Sequence, residues 1–412
     1  MDETDIDDHE SEPSGTSAVL NYCKKKILQP YLQLLSAMGL RPVRQELSGH
    51  CRISSVLYYI YFIFVLMLLI AGYILQGMAC FRRDRGFCYK VSYKVPVDTC
   101  QNICYGNVTF SYVVPSVLHF TAYLYAVYLF RIMENEQLQN LMERAFLMAS
   151  NNADGTVHQR HLMKRLWLFI LLSLLWIALS VTSLSVMMAK EKIIFVWFEE
   201  SSVAWTTVLK VLLMIGTTWH DLVNVTIITS YFLQAQLLIS YLHTLKLKLL
   251  ENSIPSLDWL REIGTFQKLL EYLNDEFAPS VCLFAIVNIT RATSGIIWLL
   301  NADTIDTMTL HISGISILNV LLWVCLSIAP FVQAARLTSI CKIFRQLGHE
   351  VRGRPFVYVD TPGDTLDTIL LYTSSLRMTA KLYEIPISGR CICLGLTVCT
   401  VILLTLGQSH FF

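Results

Sequence analysis

Residues 166–188 read LWLFILLSLLWIALSVTSLSVMM, 23 consecutive positions without a charged side chain. A bilayer core about 30 Å thick asks about 20 apolar residues of a helix that crosses it. The segment therefore reads as a membrane span. Six more blocks share its character: Ile53–Gly77, Ser111–Phe130, Val203–Phe232, Pro279–Leu300, Ile312–Ala335 and Cys391–Gln408. Over all 412 residues, 54% are hydrophobic and 15% charged. A soluble protein carries about 25% charged residues, so there is too little polar surface for a globule in water. The balance of 32 basic against 31 acidic residues lacks the basic excess of a nucleic-acid-binding surface. No nucleotide loop, metal-ligand spacing or catalytic triad stands in a credible context, so neither an enzyme, a cofactor nor a metal is expected.

The few charges orient the spans. Short cytoplasmic loops are rich in Lys and Arg. The N-terminal region and the loops after the second, fourth and sixth spans hold 23 basic residues, against 7 in the alternate loops and the C-terminus. This bias predicts an all-α membrane protein with seven transmembrane helices, a cytoplasmic N-terminus and an extracellular C-terminus, at the plasma membrane. The first outer loop, residues 78–110, carries Cys80, Cys88, Cys100 and Cys104, and the acceptor pattern Asn107-Val108-Thr109. Disulfides among these cysteines suit an oxidising compartment, and Asn107 is a glycosylation candidate. The pairing is open, and a zinc site is the alternative for four cysteines. Two further acceptor patterns, at Asn224 and Asn288, fall inside spans and are not read as glycosylation sites. The orientation is inverted relative to G-protein-coupled receptors, and the last span has no Asn-Pro-x-x-Tyr.

Between the spans the chain divides as follows. Residues 1–20 begin with seven carboxylates in twelve positions and predict disorder. Residues 21–52 hold a cytoplasmic helical segment, patterned from Asn21 to Met38 and stopped by Gly39 and Pro42. Residues 53–335 form a six-helix transmembrane bundle with cytoplasmic extensions. Residues 336–412 hold a cytoplasmic helix and the last span. The fourth span is longer than one crossing needs, and Leu237, Leu238, Tyr241, Leu245 and Leu249 continue its helical spacing. Beyond Pro255, an apolar stripe runs through Trp259, Ile263, Phe266, Leu269, Leu270 and Leu273. Leu366, Ile369, Leu370, Leu376 and Met378 predict another amphipathic helix. Such faces either lie on the membrane or join in a cytoplasmic helical anchor, which is the expectation here.

The C-terminal third resembles the signature of the insect gustatory and odorant receptor superfamily. Thr379-Ala380 is followed by Tyr383, Pro386-Ile387 and Arg390, then by a span containing Thr400 and Gln408. The run from Leu28-Gln29-Pro30 to Gly39-Leu40-Arg41-Pro42 is similar to that family's opening. The chain departs from the signature at Val401 and Ser409, and six residues rather than five separate Val401 from Gln408; these differences mark a divergent member. The resemblance implies a chemosensory, ligand-gated, non-selective cation channel, gustatory receptor-like. It further implies a homotetramer, or a heteromer with related subunits, with the last span of each subunit lining the pore. A small-molecule ligand would bind in the outer half of each bundle. The alternatives are a transporter or accessory membrane protein without a pore, and then a G-protein-coupled receptor.

In the last span Thr397, Thr400, Thr405 and Gln408 form a loose polar stripe. Beside it Leu404 is an apolar candidate for gating by dewetting. Helix–helix hydrogen bonding is the other use of such threonines. Lys210 and Arg291 are ionisable residues inside spans, about 10 and 13 Å below the outer ends of the fourth and fifth spans at 1.5 Å per residue. With Trp205 and Trp298 they are ligand-site candidates, suited to an anionic or strongly hydrogen-bonding ligand. Alternatively each pairs with a carboxylate such as Glu199 or Glu200, or snorkels outward, and the tryptophans belong to the aromatic belt. His220 and Asp221 lie deeper and are read as internal polar contacts rather than a proton relay.

Overall fold

A computed structural model describes residues 29–41, 52–83, 109–132, 141–145, 148, 155–190, 193, 195, 203–299, 310–353, 357–358, 362–395 and 397–398. In chain order its helices are α1 (Gln29–Ala37), α2 (Arg52–Met78), α3 (Val114–Val127), α4 (Gly155–Lys190) and α5 (Val203–Leu250). They continue with α6 (Ser256–Tyr272), α7 (Ala278–Leu299), α8 (Leu310–Arg345), α9 (Leu347–Arg352) and α10 (Gly363–Ser375). A minimal hairpin follows, β1 (Lys381–Leu382) pairing antiparallel with β2 (Ile385–Pro386). Helix α3 is extended at each end by a π turn, Thr109–Val113 and Tyr128–Ile132, and α6 runs into α7 through a third, Leu273–Phe277.

Among the described residues, five helices are long and apolar enough to cross a membrane: Tyr59–Met78, Gln159–Ala189, Val203–Leu250, Ser256–Ile297 and Gly314–Arg352. The chain is a multi-pass membrane protein. The second apolar block falls on the shorter α3 and its π turns. In the seventh, residues 391–395 and 397–398 are helical, and the remainder lies outside the described residues.

Helix α5 is the axis of the bundle. Its 48 residues span about 72 Å at 1.5 Å per residue, more than twice the hydrocarbon thickness. It packs against α2, α4, α6, α7, α8 and α9, and most of its side chains from His220 to Leu250 are buried. A helix wrapped by neighbours in this way needs no polar face.

At the end where α5 outruns the membrane, the amphipathic stripe of α6 is buried against it. Trp259, Ile263, Phe266, Leu269, Leu270 and Leu273 all enter one core with Leu237, Leu238, Tyr241, Leu245 and Leu249. The indole of Trp259 stacks on Phe344 of α8 with ring centroids 5.7 Å apart and donates to the carbonyl of Leu245 at 3.2 Å. Helix α10 turns Ile369 inward and crosses α9 at Gly348, where an added Cβ would meet the backbone of Leu370 at 2.7 Å. The hairpin is tied to the same end: Asn274 Nδ2 donates to the carbonyl of Thr379 at 3.0 Å, and its Oδ1 accepts from the Lys381 amide at 2.9 Å.

The expected stop at Gly39 is there. The Leu40 amide donates to the Leu35 carbonyl and the Gly39 amide to that of Ser36, with Gly39 at φ +73°. This is the double closure that a left-handed residue after a helix permits. The capped helix docks on α5 through Tyr31, whose hydroxyl bonds to Ser230. Ser230 already donates to the Thr226 carbonyl at 2.8 Å, so Tyr31 is the donor. Burial pushes its phenol above the ordinary pKa, which keeps that proton in place.

Candidate functional site

The site begins where α2 ends. The Phe81 amide donates to the Gln76 carbonyl at 2.9 Å and the Cys80 amide to that of Gly77 at 3.2 Å, with Cys80 itself at φ +48°. A non-glycine in this region is uncommon. Here it turns the chain back so that Phe81, Arg82 and Arg83 re-enter the bundle. The turn is held by Tyr112, whose hydroxyl donates to the Cys80 carbonyl at 3.0 Å.

Re-entry places the two arginines in a cavity of about 230 Å³, lined by residues of α2, α3, α5, α7 and α8 and of the segment after α2. Its polar lining includes Gln76, Arg82, Arg83, Thr217, His220, Asp221, Arg291 and Ser294. Arg83 forms a buried ion pair with Asp221. Ser180 joins it, accepting from Arg83 and donating to Asp221 Oδ2 at 2.7 Å. The main-chain carbonyl of Arg83 accepts from Asn319 Nδ2 at 3.0 Å, and Asn319 Oδ1 accepts from Ser183 at 2.6 Å. Arg82 donates to Ser294. The guanidinium of Arg291 lies over the face of Trp323, 4.6 Å from its centroid, the favourable geometry for a cation and a ring. Trp323 is fixed in turn by an edge contact with Trp176, whose indole donates to the Leu322 carbonyl at 3.0 Å.

Behind the cavity is a second polar layer. His220 Nε2 bonds to the carbonyl of Leu69 at 3.0 Å and His119 Nε2 to that of His220 at 3.2 Å. A carbonyl only accepts, so each Nε2 carries the proton and each Nδ1 is an acceptor. Tyr73 therefore donates to His119 Nδ1 at 2.6 Å, and Gln76 Nε2 to His220 Nδ1 at 3.3 Å and Thr217 Oγ1 at 3.1 Å. Deeper still, Asn224 and Asn288 exchange side-chain amide bonds of 2.7 and 3.2 Å, both fully buried. Two asparagines that match a glycosylation acceptor pattern thus lock α5 to α7. Among the described residues, no group of three or more His, Cys, Asp or Glu is arranged to hold a metal ion.

The fold has known counterparts. A solved structure of the insect olfactory receptor OR5 from Machilis hrabei superimposes with a TM-score of 0.60, covering 95% of this chain and 98% of that one at 11% identity. The same receptor in complex with eugenol gives 0.61, covering 95% and 99%, again at 11% identity. The chain has the fold of an insect olfactory receptor. No protein-family model matches the sequence, and no curated protein matches it by sequence similarity.

Within this receptor fold the sequence-derived candidates separate. Arg291 lines the cavity. Lys210 does not. It shares the α5 face of Thr217 but stands seven residues earlier, about 10 Å along the axis, where it is half-buried. Trp205 is 64% exposed on the outside of α5. Thr397 is exposed, and its hydroxyl donates to the Cys393 carbonyl at 2.9 Å. The side chain of Trp298 and the whole of Cys88, Cys100, Cys104, Asn107, Thr400, Leu404, Thr405 and Gln408 lie outside the described residues.

Arg82, Arg83 and His119 are site residues that sequence reasoning did not single out. A pair of arginines directly after an apolar block was the available signal, and it was counted only as loop charge. His220 and Asp221 are the internal contacts expected of them and also reach the cavity.

Proposed function

We propose that this chain is a subunit of a chemosensory, ligand-gated, non-selective cation channel and a divergent member of the insect gustatory and odorant receptor superfamily. A small molecule enters the cavity between α2, α3, α5, α7 and α8, and its binding is relayed to the last span, which lines a pore between subunits. One observation carries this reading: three arginines and an aspartate line one internal cavity of an apolar helical bundle. Ionisable groups at membrane depth are expensive, and their retention marks a function. The receptor fold supports it, as does the fact that the Machilis hrabei receptor has been solved with a small organic molecule, eugenol.

In this reading the chain crosses the membrane seven times with a cytoplasmic N-terminus and an extracellular C-terminus, as the loop charges favour. The amphipathic helices α6 and α10 then form the cytoplasmic anchor, and four subunits, identical or related, surround the pore. Thr397, Thr400, Leu404, Thr405 and Gln408 face that pore. The outer loop is held by disulfides among Cys80, Cys88, Cys100 and Cys104 and carries a glycan on Asn107. Whole-cell recording of cells expressing the chain, alone and with related subunits, tests the proposal. Application of small organic compounds should evoke a cation current, and substitution of Gln408 should change its permeation. A chain at the cell surface that never conducts would favour a transporter or accessory protein instead.

A further inference from the structure

We infer that the first turns of α4 are a docking surface for an anionic membrane lipid whose headgroup carries more than one phosphate. This rests on the orientation proposed above, which puts that end of the helix in the cytoplasm. Arg160, Lys164 and Arg165 are all exposed, with His161 exposed between them. Among the described residues none of the three cations has an ion-pair partner. The 36 residues of α4 include no Asp or Glu, so no carboxylate of the helix itself offsets their charge.

Their place on the helix decides what they face. Gln159, Leu162 and Leu166 are buried on the bundle side. At about 100° per residue, the three cations share the opposite arc with Leu168, Leu171, Leu172 and Leu175, each more than half exposed. That arc is the lipid face of α4, the least buried of the five long spans. Arg165 stands three residues before Leu168 and Arg160 eight, about 4.5 and 12 Å along the axis, where the headgroup layer succeeds the hydrocarbon. Trp167 is exposed between the cations and the leucines, the level at which interfacial aromatic residues sit. Orientation of the chain needs only positive charge in the loop; it does not need that charge to continue a lipid face. Like charges one turn apart repel, and a single lipid phosphate leaves much of that repulsion in place. A headgroup with several phosphates relieves it and takes paired hydrogen bonds from the guanidiniums. Anionic lipids of the inner leaflet are drawn to cations placed in this way.

The test is binding of fluorescent dioctanoyl phosphatidylinositol 4,5-bisphosphate to the purified full chain in detergent, read by anisotropy. Dioctanoyl phosphatidylserine and free inositol trisphosphate serve as competitors, and each should bind at least about tenfold more weakly, the difference that one or two surface charge contacts supply. Arg160→Gln, Lys164→Gln and Arg165→Gln should each weaken the bisphosphate lipid about fivefold, and the triple variant at least about twentyfold. Arg261→Gln removes an equally exposed cation from α6 and should leave binding unchanged. The three side chains are exposed, so the single variants should keep the wild-type unfolding midpoint. The inference is overturned if phosphatidylserine or inositol trisphosphate competes as well as the lipid binds, if the triple variant binds like the wild type, or if Arg261→Gln costs as much as the others. Absence of lipid binding, with an epitope tag after Phe412 found outside the cell, would overturn this inference alone and leave the channel reading standing. A tag found inside would remove the proposed orientation, and the inner-leaflet lipid with it.

Discussion

The imidazole of His220 lies on the phenol ring of Tyr73, with centroids 4.1 Å apart and planes 13° from parallel. The contact exists because α2 and α5 touch at two glycines: a Cβ on Gly216 would stand 2.8 Å from the Cα of Gly72, and one on Gly72 would stand 2.9 Å from His220. Small residues let membrane helices approach to backbone contact. Gly216→Ala forces the helices apart with no flexible side chain to yield. It should cost about 1–3 kcal/mol, the range for overpacking a tight contact, read as a lower unfolding midpoint in detergent.

The ion pair of Arg83 with Asp221 joins the segment after α2 to α5. Removing one partner of a buried pair strands the other charge and costs about 3–5 kcal/mol, whereas replacing both with apolar groups of similar size is often neutral. Arg83→Met and Asp221→Leu should therefore each destabilise the chain strongly, and the double variant should recover much of the loss. A double variant no better than either single change would show that the pair is not an isolated electrostatic unit.

Asn224 and Asn288 make the same point without charge. Leucine at either position leaves the opposite amide buried and unpaired, at about 1–3 kcal/mol. Leucine at both should restore most of the stability, measured as a double-mutant cycle.

How much of this could be read beforehand depends on what the bilayer constrains. Spans such as residues 166–188 are legible because hydrocarbon accepts only long apolar helices. The stripe from Trp259 to Leu273 is legible because a helix buried on one side repeats every 3.6 residues. Arg291 stood out as a cation inside a span. Arg82 and Arg83 did not, since their inward course depends on a left-handed turn at Cys80 that no glycine announces. Lys210 looked equivalent to Arg291 by depth alone, and depth says nothing of where a cavity ends along a helix. His119 is one histidine among apolar residues, and its role depends on Tyr73 and the His220 carbonyl, which only the fold brings to it.

The proposed orientation makes a separate prediction. Asn107 should acquire a glycan that Asn107→Gln removes, read as a gel-mobility shift, and an epitope tag after Phe412 should be stained on intact cells. A tag accessible only after permeabilisation would invert the topology and sink the channel reading with it.

The central claim, that a small molecule in this cavity opens the channel, is tested most directly by recording ligand-evoked current from two tryptophan variants at equal surface expression. Ser294→Trp fills the cavity, while Val208→Trp adds the same bulk to an exposed position on α5, 54% accessible. The account predicts that the concentration needed for half-maximal current rises at least about tenfold, or the response disappears, in Ser294→Trp, and stays at the wild-type value in Val208→Trp. An unchanged dose–response curve in Ser294→Trp would contradict it.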